Sequence, residues 1–98
     1  MEELRFAWDA RKARANLRKH RVSFEEAQTA FFDEEALVLD DPEHSQAEDR
    51  FILLGMSAGR RVLSVCHCVR EGGSLIRIIG ARRAVHAEQA QYWERLRR

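Results

Sequence analysis

Two arginines and a histidine, Arg50, His67 and Arg77, stand in three consecutive apolar segments of the sequence. Suppose that a two-residue turn joins the first two segments and a three-residue turn joins the last two. Antiparallel pairing then sets Arg50, His67 and Arg77 in one row across three strands, with opposed Cβ atoms about 5 Å apart. Two cations beside a histidine pack poorly, but they suit a bound anion. The pattern therefore predicts an anion site on a sheet.

This row depends on the length of the second turn. A four-residue turn ending at Ser74 moves Arg77 beside Cys68 and away from His67. Because side chains alternate between the two faces of a strand, a slip of one residue decides whether the row forms. The sequence leaves both registers open.

Strands that could carry these side chains are predicted over residues 50–57, 61–69 and 75–82, where apolar runs are separated by glycine-containing turns. Strands joined by such short turns pair antiparallel. A further short strand is predicted over residues 36–40 and is ended by Pro42, which cannot donate to a ladder. Residues 4–8 are a brief strand or a packed arm.

The first predicted helix covers residues 10–20 and is capped by Asp9. Helical periodicity predicts that Ala13, Leu17 and His20 face inward. The remaining surface of this helix is strongly basic.

A second helix follows Ser23, which forms an S-x-x-E capping box with Glu26. A third helix is predicted over residues 84–96. We therefore expect an α+β fold, a twisted antiparallel sheet of three to four strands with two N-terminal helices and one C-terminal helix, packed mainly on one face.

Composition restricts the class of protein. The 98 residues are 45% hydrophobic and 34% charged, which predicts one domain over residues 1–98. The longest apolar run is far shorter than a membrane span and the start lacks a signal peptide's apolar segment, so a cytoplasmic protein with no membrane contact is expected. The length excludes large cofactor-binding α/β frames, and no glycine-rich phosphate loop is present; no cofactor is expected.

Charge is unevenly distributed along the chain, although the net charge is only +1. Residues 1–23 carry +4, residues 24–50 carry −9 and residues 51–98 carry +6. The two basic segments suit a polyanion such as nucleic acid, and the acidic segment could receive a basic partner. The alternative is that these charges only solvate a small surface.

The two cysteines, Cys66 and Cys68, flank His67. No second cysteine pair lies at the spacing of a common zinc module, so reduced thiols and no metal are expected. A metal-binding redox protein that uses these two cysteines is a further class of function, and it ranks below the functions that involve nucleic acid.

Several short motifs, taken in order, resemble the BrnT-type toxins of type II toxin–antitoxin systems. They cover nearly the whole chain and are Trp8-Asp9, Lys12, Asn16, Lys19-His20, Val22-x-Phe24-x-x-Ala27, Asp41-Pro42-x-His44-Ser45-x-x-Glu48-x-Arg50, His67 and Arg77-Ile78-Ile79-Gly80-Ala81-Arg82. The resemblance implies a RelE-like fold and a ribonuclease that blocks translation. It also implies a BrnA-like antitoxin as partner, with operator DNA bound only through the antitoxin complex.

Metal-independent RNA cleavage needs a base for the ribose 2′-OH, an acid for the leaving 5′ oxygen, and cations for the extra phosphorane charge. His67 or Glu48 is expected to be the base, and His44 or His67 the acid, because histidine titrates near neutral pH. Each also has a structural alternative. His67 could be a core histidine, His44 merely exposed, and Glu48 a local cap.

Arg50, Arg77 and Arg82 are expected to hold the scissile phosphate through forked guanidinium donors. Lys19 and Lys12 of the first helix would contact the flanking RNA backbone. The competing function is a non-catalytic module of the same fold that binds nucleic acid or an antitoxin. Candidate partner contacts are the terminal helix and the acidic stretch 33–49.

Overall fold

The structure, a computed structural model, describes residues 3–41 and 50–97 of the chain. Its elements in chain order are β1 (Arg5–Ala7), α1 (Ala10–His20), α2 (Phe24–Thr29), β2 (Leu37–Asp40), β3 (Arg50–Met56), β4 (Val62–Arg70), β5 (Leu75–Arg83) and α3 (His86–Arg95), with 3₁₀ turns at Ala30–Phe32 and Glu71–Gly73. The strands form one sheet in the order β1-β5-β4-β3-β2.

The α+β prediction is confirmed, with two helices before most of the sheet and one after it. The described part of the chain has five strands rather than three to four. The additional strand is β1, which pairs parallel to β5, whereas every other neighbour is antiparallel. The sheet is therefore mixed. A parallel pair needs a long connection, and β1 and β5 are separated in sequence by two helices and three strands of the described residues.

Helix α1 begins at its predicted cap, because Asp9 accepts hydrogen bonds from the backbone N–H groups of Arg11 and Lys12. Its inner face differs from the prediction. Leu17 is 48% exposed, and Asn16 faces the sheet instead. Hydrophobic periodicity predicted that Leu17 faces inward, whereas the structure places the Asn16 amide against the sheet. That part of the prediction was wrong.

The Asn16 side chain joins α1 to the open edge of β5. Its Nδ2 donates to the carbonyl oxygens of Ala81 (2.8 Å) and Val22 (2.9 Å), and its Oδ1 accepts from the Ala81 N–H (3.1 Å). Strand β1 pairs with β5 only as far as Arg77. At Ala81 the Asn16 side chain therefore satisfies the backbone N–H and carbonyl groups that a neighbouring strand would otherwise bind.

Helix α2 uses half of the expected capping box. The Ser23 hydroxyl accepts from the Glu26 N–H at 2.9 Å, as predicted. The Glu26 carboxylate instead binds the Arg61 guanidinium at 2.6 and 2.8 Å and the Ser57 hydroxyl at 2.6 Å. The carboxylate thus ties α2 to the β3–β4 hairpin.

Helices lie on both faces of the sheet. Helix α2 packs Phe24 against a face that includes Leu53 and Ile78, and Ala13 of α1 lies at its margin. Helix α3 packs Tyr92 against Met56 and Val62. Since odd and even residues of β3 point to opposite faces, α3 covers the other face at the hairpin end. No helix in the described ranges is long and apolar enough to cross a membrane.

The β3–β4 register predicted from a two-residue turn is wrong by one residue. Ser57 and Arg61 close a three-residue turn, and Arg60 adopts a left-handed conformation with φ 62°. This is the usual geometry of a three-residue hairpin, which ends in a left-handed residue. Arg50 therefore pairs with Cys68, and His67 pairs with Phe51.

The β4–β5 register follows the four-residue turn left open by the sequence. Glu71, Gly72 and Gly73 all have positive φ (52°, 66° and 100°), and Arg70 pairs with Leu75. Arg77 consequently lies opposite Cys68 rather than His67. The predicted row Arg50–His67–Arg77 does not form, because both turns are one residue longer than that row requires.

Candidate functional site

Arg50 and Arg77 nevertheless share a row, because both registers shift in the same direction. Each pairs directly with Cys68 of the central strand β4, one from each side. Arg77 is exposed and Arg50 is half-buried. At the β2 end of the row, the Asp41 N–H donates to the Arg50 carbonyl oxygen at 3.1 Å. We call this set of Arg50, Cys68 and Arg77 the arginine row.

A β-bulge at Ile79 brings a third arginine to the same face. His67 pairs with Ile78 and Cys66 pairs with Gly80, which leaves Ile79 as the extra residue. After the bulge, even-numbered residues take the face that odd-numbered ones held before it. Gly80 and Arg82 therefore share the face of the arginine row, which we call the arginine face.

Arg82 is engaged by the protein itself. Its two terminal nitrogens donate to the Glu88 carboxylate at 2.8 and 3.1 Å, and the same carboxylate accepts from the Val85 N–H at 2.8 Å. Burial alone would raise the pKa of Glu88, but the bonds from Arg82 and Val85 outweigh it and the pKa is lowered. Arg82 therefore joins β5 to the start of α3 and has its charge balanced there.

Cys66 lies on the arginine face, two residues along β4 from Cys68 of the arginine row. Its Sγ is 3.8 Å from Oδ2 of Asp41. Burial and the nearby Asp41 charge raise its pKa to about 11, so the thiol is protonated at neutral pH and a poor nucleophile. Cys68 is fully buried. Within residues 3–41 and 50–97 no group of three His, Cys, Asp or Glu side chains could hold a metal ion.

His67 lies on the opposite face, among aromatic side chains. Its ring centroid is 4.8 Å from that of Phe31 and 6.0 Å from that of Phe51, and Nδ1 is 3.1 Å from the Val65 carbonyl oxygen. Burial lowers its pKa. His67 also lines a shallow apolar cleft of about 290 Å³ that includes Val38. The structure therefore separates His67 from both arginines of the row.

The predicted lysines are on the exposed side of α1. Lys12 and Lys19 are both exposed. The start of α1 lies near Arg77, because Arg77 pairs with Ala7, three residues before this helix begins. The pKa of Asp9 is lowered first by the backbone N–H groups of Lys12 and Arg11 and further by the charges of Lys12 and Arg77. The predicted residues His44 and Glu48 lie outside the described residues; the ends that flank them, Asp41 and Arg50, are hydrogen-bonded at the arginine row.

Sequence reasoning missed a cavity between α1 and the arginine face. It has a volume of about 190 Å³ and is lined by Asn16, His20, Ile52, Ser64, Cys66, Gly80, Ala81 and Arg82. A signal for it was present in α1. Ala13, Asn16 and His20 have the i, i+3, i+7 spacing of one helix face, and an asparagine in mid-helix is unfavourable unless its amide is used.

Comparison with known proteins agrees with this architecture. The model of the family described as "Ribonuclease toxin, BrnT, of type II toxin-antitoxin system" matches residues 8–88. No curated protein sequence matches the chain. The crystal structure of the Brucella abortus ribonuclease toxin BrnT is similar in fold, with a TM-score of 0.62 and 22% sequence identity over 85% of this chain and 99% of that one. Because the family model spans most of its length, the chain belongs to the BrnT family of ribonuclease toxins of type II toxin–antitoxin systems.

Proposed function

We propose that the chain is a metal-independent endoribonuclease that inhibits translation by cleaving RNA at the arginine face. The observation that carries this proposal is the arginine row, in which Arg50 and Arg77 flank one buried thiol from both sides. The two arginines lie two strands apart on one face, about 10 Å between backbones, and their long side chains can both offer forked donors to the oxygens of a phosphate bound between them.

In this mechanism the ribose 2′-OH attacks the adjacent phosphorus, and Arg50 and Arg77 stabilise the charge that develops on the phosphorane. His20 lines the neighbouring cavity, whose floor is on the arginine face. His44 and Glu48 remain proposed as acid and base. Lys12 and Lys19 would contact flanking phosphates in a salt-dependent way. His67 is not part of the proposed site because it faces the other side of the sheet.

The proposed partner is a BrnA-like antitoxin that covers the arginine face, with operator DNA bound only by the complex. Helix α3 offers apolar side chains for such a contact, since Val85, Trp93 and Leu96 are 53%, 44% and 38% exposed. The acidic stretch 33–49 is a second proposed contact, and residues 42–49 of it lie outside the described residues. Residues 1–98 would act as one toxin domain.

Cleavage of a labelled RNA in the presence of EDTA tests the proposal. Arg77→Ala is compared with Arg83→Ala, because Arg83 is an exposed arginine of the same strand that faces the other side of the sheet. Loss of a cation at the developing charge is expected to reduce the cleavage rate by about 10²–10³-fold, and Arg83→Ala by less than about threefold. A parallel cell-free translation reaction detects cleavage that requires the ribosome.

Each outcome has a distinct meaning. Cleavage that EDTA abolishes would refute metal independence. Equal activity of Arg77→Ala and wild type would remove the arginine row from the site. If folded wild-type protein cleaves RNA neither alone nor during translation, the chain is a non-catalytic binding module.

A further inference from the structure

The cavity between α1 and the sheet lies beside the phosphate site proposed above, and most of its lining residues have no role in that chemistry. Its floor is formed on the arginine face by Ile52, Ser64, Cys66 and Gly80, and its α1 wall carries Asn16 and His20. At about 190 Å³ it is smaller than the pockets that hold drug-sized ligands, and it suits one flat ring system.

The walls of this cavity are mostly neutral. The Asn16 amide is already bonded to Ala81 and Val22, and the Arg82 guanidinium is bonded to the Glu88 carboxylate. The Cys66 thiol is protonated at neutral pH. A phosphate would therefore find a better site at the arginine row, while a neutral ring with polar edges would suit the cavity.

Ser64 provides a polar group for such a ring. Its side chain is 5% exposed and lines the cavity. Within residues 3–41 and 50–97 its hydroxyl makes no hydrogen bond. The hydroxyl oxygen reaches solvent through the cavity, so it can donate a hydrogen bond to a ligand there or accept one from it.

Gly80 keeps the cavity open. The nearest atom to a Cβ built on Gly80 is Oδ1 of Asn16 at 3.9 Å, so a methyl group fits there without strain and a longer side chain would extend into the cavity. The bulge at Ile79 is the reason that Gly80 occupies this face.

The cavity is adjacent to the arginine row along the strands. The Cys66–Gly80 pair and the Cys68–Arg77 pair are successive positions on the same face, about 7 Å apart along β4. In a nucleotide, the base and the phosphate are separated by the sugar, a span of this order.

We propose that the cavity between α1 and the arginine face binds one nucleobase of the RNA, taken out of the stack, while the arginine row holds the adjoining phosphate. This inference rests on the proposed ribonuclease function and adds a base-specificity site to it. Ser64 hydrogen-bonds the edge of the base, Ile52 contacts its face, and a flipped base in a fitted pocket is read in this way by other nucleic-acid enzymes.

Binding of short oligonucleotides tests the pocket without cleavage. The probes are four fluorescent 2′-O-methyl homo-oligonucleotides, one for each base, and an abasic strand of the same length, with affinity measured by fluorescence anisotropy. Wild type is compared with Gly80→Leu, which fills the cavity, and with Gly80→Ala, which leaves it open. Ser64→Ala provides a second, smaller change, and circular dichroism checks that each variant is folded.

We expect wild type and Gly80→Ala to bind at least one base about tenfold more tightly than the abasic strand. Gly80→Leu should lose this difference yet bind the abasic strand as wild type does, because the arginine row is intact. Ser64→Ala should weaken only the preferred base, and it carries the test if Gly80→Leu is unfolded.

Two results would overturn the pocket: equal binding of abasic and base-bearing strands by wild type, or an unchanged preference in folded Gly80→Leu and Ser64→Ala. Either result with RNA cleavage intact refutes the pocket alone. A base preference without any RNA cleavage refutes the ribonuclease proposal and leaves a base-binding cavity.

Discussion

Replacing Asn16 by alanine should be among the most destabilising changes on α1, although its neighbour Leu17 is the apolar residue. Asn16 makes three hydrogen bonds, two to Ala81 and one to Val22, at 2.8–3.1 Å. Alanine would leave both backbone groups of Ala81 without these partners at a part-buried strand edge.

The magnitude follows from these bonds. Each contributes about 1 kcal/mol net, so the three together contribute roughly 3 kcal/mol. Alanine is the better helix former by about 0.6 kcal/mol, which leaves a loss of roughly 2–3 kcal/mol in the free energy of unfolding. For a chain of 98 residues this corresponds to a fall in melting temperature of about 10–20 °C. Leu17 is 48% exposed, so Leu17→Ala should lose at most about 1 kcal/mol.

Urea unfolding followed by far-ultraviolet circular dichroism measures both variants under the same conditions, and the m-value shows whether unfolding stays two-state. Arg18→Ala, an exposed change on the same helix, is the control and should lie within about 0.5 kcal/mol of wild type. If Leu17→Ala proves more destabilising than Asn16→Ala, α1 presents the face that hydrophobic periodicity predicts, and the account of Asn16 is wrong.

Three further predictions concern titratable groups. The pKa of Glu26 is lowered, first by its hydrogen bonds to Arg61, so the carboxylate stabilises the fold above about pH 4.3 and loses this effect as pH falls. Glu26→Gln should be less stable than wild type by about 1–2 kcal/mol at pH 7, and a difference in urea midpoint that stays constant as pH falls below about 4.3 would contradict this. Burial lowers the pKa of His67, so the unfolded chain binds a proton before the folded protein does, and the free energy of unfolding should decline as pH falls below about 6.5. His67→Gln should flatten this decline between about pH 7 and 5. An unchanged slope would assign the decline to another group. Native Cys66, with a pKa of about 11, should react with a thiol reagent at pH 8 much more slowly than the urea-unfolded chain, whereas equal rates would show an accessible thiolate.

Local signals in the sequence were sufficient for the helices. Asp9 and Ser23 cap the two N-terminal helices as predicted, because a cap requires only its own side chain and the next few backbone N–H groups. The inner face of α1 was harder to predict. Asn16 is inside because β5 has an open edge at Ala81, and periodicity cannot detect an edge that exists only in the folded sheet.

Strand registers depended on turns that the residue types only partly specify. Gly72 and Gly73 indicate positive φ, and the longer turn there was one of the two alternatives considered. Arg60 is left-handed with φ 62°, and an arginine does not signal this conformation as a glycine or asparagine would. Ile79 carries the bulge and reads as an ordinary strand residue, so the shared face of Arg77 and Arg82 could not be predicted.

The equal shifts of the two hairpins explain which part of the predicted row of residues is present in the fold. A one-residue shift on each side of β4 preserves the relation between Arg50 and Arg77 but replaces His67 by Cys68 between them. The relation between Arg50 and Arg77 therefore depends only on the difference between the two shifts, whereas the residue that lies between them depends on each shift separately. The protonated Cys66 thiol offers no base near neutral pH, so the proposed mechanism requires an acid and a base from outside the central strand. Mutagenesis should first address three groups: His20 on α1, and His44 and Glu48 in the segment that links Asp41 to Arg50.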